Sequence, residues 1–310
     1  PEAQPHLPAH VVDPAAPTER RLAGLRLLAA EDVEVNRLVL EDLLSHEGAR
    51  VIFAENGRQA LDRLEEAGVS AFDAVLMDIQ MPVMNGLDAT RRLREIAPAL
   101  PVIGLTAHAF AEEREKCLAA GMAEHVTKPI DPDLLVAAIL RQTRPDNPIP
   151  TPALPFTCPQ SGIDGPRRGI PVTQSEGMQS TPTPTSVEVQ GPVPIAAGLV
   201  DWQALLAQYS GREAFVAKLA TIALSSQQDT AAKLRAAAAQ RDREALAFLA
   251  HATKGVAGNL MAHGVRDLAA RTEVAARRSE PDAAELATEL ASAVEALLDE
   301  LARRHPRERG

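Results

Sequence analysis

The stretch AVLMDIQMPVMNG, residues 74–86, decides the fold: four apolar residues run straight into Asp78, and a turn carrying Pro82, Asn85 and Gly86 follows. So short an apolar run, ended by turn residues, predicts a strand, and the helical pattern GLDATRRLREIA comes directly after it. The same alternation repeats on either side. Upstream lie LRLLAA (25–30) with VNRLVLEDLLSHEG, and RVIFA (50–54) with GRQALDRLEEAG; downstream lie PVIGLTA (101–107) with AEEREKCLAAG, and HVTKP (125–129) with DPDLLVAAILRQ. Five strands, each followed by a helix within about 120 residues, predict an α/β doubly wound, five-stranded parallel sheet with helices on both faces.

Ligands of such sheets bind beyond the C-terminal ends of the strands. Here the first strand ends in Glu31 and Asp32, the third in Asp78, the fourth in Thr106, and the fifth in Lys128 followed by Pro129. Any one of these acids alone is equally a cap or a solvated turn residue; their convergence on one edge is what points to a site. Three carboxylates suit Mg2+, which prefers one or two carboxylates plus phosphate oxygens and keeps several waters. Asp78 is then the expected nucleophile toward a phosphoryl group, with Lys128 and Thr106 holding that group's oxygens.

Residues 25–142 resemble a response-regulator receiver domain through Glu31 and Asp32, the DIQMPVMNG segment at Asp78, GLTAHA at Thr106 and TKP at Lys128. MPVMNGLDATRRLRE and TAHAFAEEREKCLAAGM are especially similar to receivers attached to hybrid sensor kinases. The resemblance implies a flavodoxin-like sheet and Mg2+-dependent phosphoryl transfer from a phosphohistidine to Asp78. It also implies a metal held by Asp32, Asp78 and the backbone carbonyl of Gln80, with Glu31 acting through water. His125 departs from the family, which often has Tyr or Phe there as a rotating switch. A strand-edge residue or a titratable switch are the two readings of that position.

The flanks differ in composition. Residues 1–24 are rich in Pro and Ala without periodicity and predict a disordered tail; residues 143–199 form a Pro/Ser/Thr-rich linker, an extended tether between two units. Residues 200–304 are helical in pattern, with a last segment repeating Leu286, Leu290, Val294 and Leu298, and predict an all-α four-helix bundle with one or two leading helices; a short tail, 305–310, follows. The formal net charge of -10 argues against a nucleic-acid binder, and no run of basic residues offsets it. Cys117 and Cys158 predict neither a disulfide scaffold nor a zinc site, so a reducing, cytoplasmic setting is expected. There is neither a run of 18 apolar residues nor a basic-then-apolar leader, so no direct membrane contact is expected of these residues. The chain begins with Pro rather than Met, and the expectation is a piece of a longer protein whose missing part could anchor it in an inner membrane.

Within the bundle, FLAHATKGVAGNL (248–260) sets one histidine among small and apolar residues. Leu246, Leu249, Thr253, Val256 and Leu260 form one helical stripe, and His251 lies roughly 200° around the axis from Leu249. Lys254, Gly255 and Gly258 fall between roughly 140° and 240°, so the helix is expected to expose a His, a Lys and two positions without side chains. Each Gly costs roughly 1 kcal/mol against Ala, which suggests that space is needed for a close approach. A packed or surface histidine remains the plain alternative, and a metal site would have only His263 and Asp267 to draw on, without recognisable spacing.

AHATKGVAGNLMA resembles the phosphoacceptor signature of a histidine phosphotransfer (HPt) domain at His251, Lys254 and Gly255, with Met261 where the family has glycine. The order receiver, tether, HPt is similar to the C-terminal part of a bacterial hybrid sensor histidine kinase. It implies a multistep phosphorelay in which Asp78 and His251 are phosphorylated and Lys254 assists. The implied partners are a histidine kinase core, a downstream response regulator, and the receiver and HPt domains for each other. No GxxxxGK[ST] loop is present, so the phosphoryl group is expected from an ATP-binding domain outside these residues. Two competing readings are a non-catalytic docking module and an Asp-nucleophile phosphatase, whose DxD motif is missing because Ile79 and Gln80 follow Asp78.

Overall fold

The computed structural model describes residues 20–106, 111–128, 130–144 and 198–305. Most of the expected tails and linker (1–19, 145–197 and 306–310), with Pro129 and Cys158, lies outside the described residues. The strands are β1 (Arg26–Ala30), β2 (Arg50–Ala54), β3 (Ala74–Asp78), β4 (Val102–Thr106) and β5 (Glu124–Thr127). All pair in parallel in the order β2-β1-β3-β4-β5. Every residue of β3 and β4 is buried, as the unbroken apolar runs require of strands covered on both faces.

Alternate residues along the strands build two cores. Leu28, Val75 and Met77 meet Leu61 and Leu64 of α2 (Gly57–Ala67) and Leu93 of α3 (Gly86–Ile96). On the other face Leu27, Leu76 and Ile103 meet Leu40 and Leu44 of α1 (Glu34–His46) and Leu135 and Ile139 of α5 (Pro132–Thr143). The remaining helix, α4 (Ala111–Ala120), carries buried Cys117. Side-chain caps start three of these helices: Asn56 accepts from Gln59 N–H, Asn85 from Asp88 N–H, and Asp131, before Pro132, from Leu134 N–H.

Ordered structure begins earlier than the expected Leu25. Residues 21–24 form a turn in which Leu22 is fully buried and donates its N–H to the Glu47 carbonyl, while Arg21 pairs with Glu47 and Asp133. The Pro/Ala composition of the preceding stretch hid this one anchoring leucine.

The C-terminal part is helical throughout: α6 (Trp202–Gln208), α7 (Glu213–Ser226), α8 (Thr230–Gln240), α9 (Arg243–Asn259), α10 (His263–Arg278) and α11 (Ala283–Arg304). Helices α8 to α11 close a ring of neighbours, α8 on α9, α9 on α10, α10 on α11 and α11 on α8, with α6 and α7 leading. Leu286, Leu290 and Val294 line the α11 seam as expected; beyond them Leu297 and Leu301 are the buried positions and Leu298 is only half-buried, because a strict four-residue repeat drifts around a helix of 3.6 residues per turn. Glu300 ties the start of this part to its end by accepting from Leu199 N–H (2.7 Å) and Trp202 Nε1–H (2.9 Å). Sheet domain and bundle belong to one compact unit, because Val35, Leu38 and Val39 of α1 join the bundle's apolar core.

Candidate functional site

The C-terminal edge of the sheet gathers the polar residues that the strand ends deliver. Lys128 Nζ donates to Glu31 Oε2 and to Asp78 Oδ2, each at 2.6 Å. Carboxylate oxygens of Glu31, Asp32 and Asp78 all lie within 4.8 Å of one another, and this is the one such acid or metal-ligand group found among the described residues. Gly86, which opens α3, makes the close packing possible: a Cβ there would stand 2.0 Å from the Asp78 carbonyl oxygen. The Lys128 N–H donates to the Thr106 carbonyl at 2.6 Å, bringing buried Thr106 to the same edge. Gln80 donates its backbone N–H to Asp78 Oδ1 (3.2 Å), and its side-chain oxygen accepts from Arg277 Nη2 (2.6 Å).

Two of the three carboxylates, Glu31 and Asp78, share one ammonium here. Burial raises the Asp78 carboxyl, Lys128 pulls it down, Glu31 and Asp32 push it up again, and the net direction is upward. The Asp32 carboxyl is pushed up to about 6, first by burial and then by Glu31, against the pull of Lys128. Lys128 itself is held firmly as an ammonium, because Asp78 and Glu31 outweigh its burial. Such clustered negative charge fits a hard divalent cation with oxygen ligands. At the far edge His125 is half-buried on β5 and its imidazole is shifted down, first by burial and then by Arg114.

His251 lies off the apolar stripe of α9, as the helical projection predicts, but it is not exposed: only 7% of its surface reaches solvent. Helix α10 and the sheet domain cover it, which no projection of a single helix can show. Its Nδ1 is 3.1 Å from Glu273 Oε1, and Glu273, fully buried, also accepts from Lys254 Nζ (2.6 Å) and Arg277 Nη2 (3.0 Å). Burial raises the Glu273 carboxyl, but His251 and Lys254 together hold it well below the usual carboxylate range. Burial lowers the His251 imidazole, Glu273 opposes this, and the charges of Lys128 and Lys254 add to the lowering. Glu273 was absent from the sequence-based candidates. Its available signal was an acid set among Leu268, Ala269, Thr272, Ala275 and Ala276, a helical face that is otherwise buried without charge. His263 and Asp267, the alternative metal ligands, are exposed at the start of α10.

The two clusters face each other. One cleft of about 210 Å³ is lined by Asp78 and Lys128 from the sheet and by His251, Lys254 and Gly255 from α9. Asn259 Nδ2 donates to Asn36 Oδ1 across the boundary (2.8 Å), and Arg212 donates to both oxygens of Asp42 (2.7 and 2.6 Å). A Cβ at Gly255 would lie 3.1 Å from Asn36 Nδ2, so this glycine does leave room for a close approach. An aspartate held by Lys128 and a histidine held by Glu273 thus line one small cleft, and both are groups that can carry a phosphoryl group.

Family comparison matches residues 27–140 to the response regulator receiver domain and residues 218–303 to the Hpt domain. Hybrid signal transduction histidine kinase I of Dictyostelium discoideum is 41% identical over 123 residues, 38% of this chain and 7% of that protein. The sensor protein GacS of Pseudomonas syringae pv. syringae is 38% identical over 123 residues, 38% of this chain and 13% of that protein. The chain therefore spans a small part of the length of these relatives. Among solved structures, the receiver domain of a sensor histidine kinase from Pseudomonas aeruginosa, described with magnesium coordinated in its active-site cleft, is 36% identical. That match covers 39% of this chain and 98% of the other, with a TM-score of 0.35. No helix among the described residues is long and apolar enough to cross a membrane.

Proposed function

From the premise that this chain belongs to the two-component phosphorelay proteins, carrying a receiver domain followed by an Hpt domain as hybrid histidine kinases do, we propose that Asp78 and His251 exchange a phosphoryl group across their shared cleft. The observation that carries this reading is that Asp78, Lys128, His251 and Lys254 line one cavity. A kinase phosphohistidine supplies the group to Asp78: its N–P bond breaks as an O–P bond forms to a carboxylate oxygen. In the second step that O–P bond breaks as the Nε2 of His251 attacks, and Asp78 returns to a carboxylate. Glu273 accepts the Nδ1–H of His251, which leaves Nε2 with the lone pair that the attack needs. Lys128, already on Asp78, holds a phosphoryl oxygen, and Thr106 donates to another.

Asp32 and Asp78, with the Gln80 carbonyl and with Glu31 acting through water, would hold Mg2+, which supplies charge neutralisation at the transferring oxygens. From His251 the group passes to the aspartate of a downstream response regulator. The histidine kinase core is part of the parent protein or acts in trans, and a cytoplasmic site of action follows from that partnership.

The test is site-resolved labelling with acetyl phosphate and Mg2+, read by mass spectrometry in the wild type, Asp78→Asn and His251→Gln. Label on both residues in the wild type, lost from both in Asp78→Asn and kept on Asp78 in His251→Gln, supports the relay. Folded protein without magnesium-dependent label on Asp78 overturns it in favour of a docking module.

A further inference from the structure

His251, Gly255 and Asn259 follow one another at four-residue intervals, so α9 presents them as a single stripe along the sheet domain. At one end of the stripe His251 lines the cleft with Asp78. At the other, Asn259 Nδ2 donates to Asn36 Oδ1 (2.8 Å), and Asn36 Nδ2 donates to Glu31 Oε1 (2.7 Å). Glu31 continues the chain through its second oxygen, which accepts from Lys128 Nζ, and Lys128 reaches Asp78. Both asparagines are buried, Asn36 to 6% and Asn259 to 8% exposure, and both make these contacts with little water to replace them.

The order of donors and acceptors in this chain is forced. An ion-paired carboxylate can only accept, so the amide nitrogen of Asn36 must point at Glu31 and its oxygen must point at α9. Position 259 must therefore donate. We infer that Asn36 and Asn259 are a positioning pair through which the carboxylate of Glu31 dictates how the Hpt helix docks, setting the register that brings His251 opposite Asp78. The inference rests on the reading of the cleft as the transfer site. It adds that the docked state is recognised through a member of the acidic cluster itself, by a hydrogen-bond polarity that a substitution can invert.

The inversion gives a test that loss of packing does not mimic. Asn259→Asp is nearly isosteric, yet it sets a carboxylate against the oxygen of Asn36, whereas Asn259→Ala only removes the donor. Hydrogen exchange of the full chain, without phosphodonor or metal, reads docking at the peptides covering α1 and α9. Peptides of β3 and α11 report whether both domains stay folded. Exchange in α1 is expected to rise a few-fold in Asn259→Ala and about tenfold or more in Asn259→Asp. Adding Glu31→Gln lets the Asn36 amide turn over, so that its nitrogen faces α9, and protection is expected to return in the Asn259→Asp background. Asn259→Asp no worse than Asn259→Ala, or no recovery with Glu31→Gln, overturns the proposal. Because this readout involves no phosphate, the pair can fail while the labelling experiment succeeds, and the reverse.

Discussion

Glu273→Gln removes one negative charge and keeps the shape of the side chain. In the native structure the two oxygens of Glu273 serve His251 Nδ1, Lys254 Nζ and Arg277. The Arg277 side chain is 46% exposed and can turn to water, whereas Lys254 is only 13% exposed. The main cost is the lost charge pairing between Glu273 and Lys254, about 3 kcal/mol. For a unit of this size that is a fall in Tm of about 6–12 °C. Glutamine keeps one acceptor oxygen; turned toward the Lys254 ammonium, it leaves its NH2 against His251 Nδ1, so the imidazole loses a negative neighbour and becomes less basic. Phosphoryl arrival at His251 should then slow by about 10–100-fold, or ~1.4–2.8 kcal/mol of barrier, while labelling of Asp78 keeps its rate. Rapid-quench mass spectrometry separates the two sites, and ring 15N chemical shifts report the tautomer. Equal slowing at both sites, or an unchanged rate at His251 with the Nδ1–H tautomer intact, would refute the role given to Glu273.

Three further outcomes are expected. The His251 imidazole is shifted down on burial, so the folded state resists a proton that the unfolded state accepts; stability is complete above about pH 6.5 and declines as pH falls below it. Thermal melts of wild type and His251→Gln between pH 5 and pH 8 check this, and the decline should be smaller in the variant. Gly86→Ala forces a Cβ against the Asp78 carbonyl and should cost more than 2 kcal/mol in urea unfolding, with Asp78 labelling reduced as β3 shifts. Leu290→Ala, at a fully buried position of the α11 seam, should cost about 2–5 kcal/mol and lower Tm without changing the acidic edge of the sheet.

The sheet was largely legible in the sequence because strand runs and turns are local signals. RVIFA and AVLMD match β2 and β3 residue for residue, and the polar strand ends do converge. Leu22 was missed because a single leucine in a Pro/Ala-rich stretch carries no period. The angle of His251 on its helix was read correctly and its burial was not, since a helical projection contains one helix and the cover comes from α10 and α1. Glu273 is 22 residues from His251, and Asn36 is 223 from Asn259. No spacing rule reaches across such separations; only the packed structure shows that these side chains meet. The compositional readings of residues 1–19 and 145–197 lie outside what the structure describes.

Helix α1 answers to two masters. Leu40 and Leu44 are packed into the sheet, Val35, Leu38 and Val39 into the bundle, and only Glu34, Glu41, Ser45 and His46 of the helix are exposed. A substitution on one face of α1 therefore tests the fold of the sheet domain, and one on the other face tests the joint with the bundle. The seat of the bundle is thus built into a helix of the sheet domain, although the helices that fill it lie more than a hundred residues further along the chain.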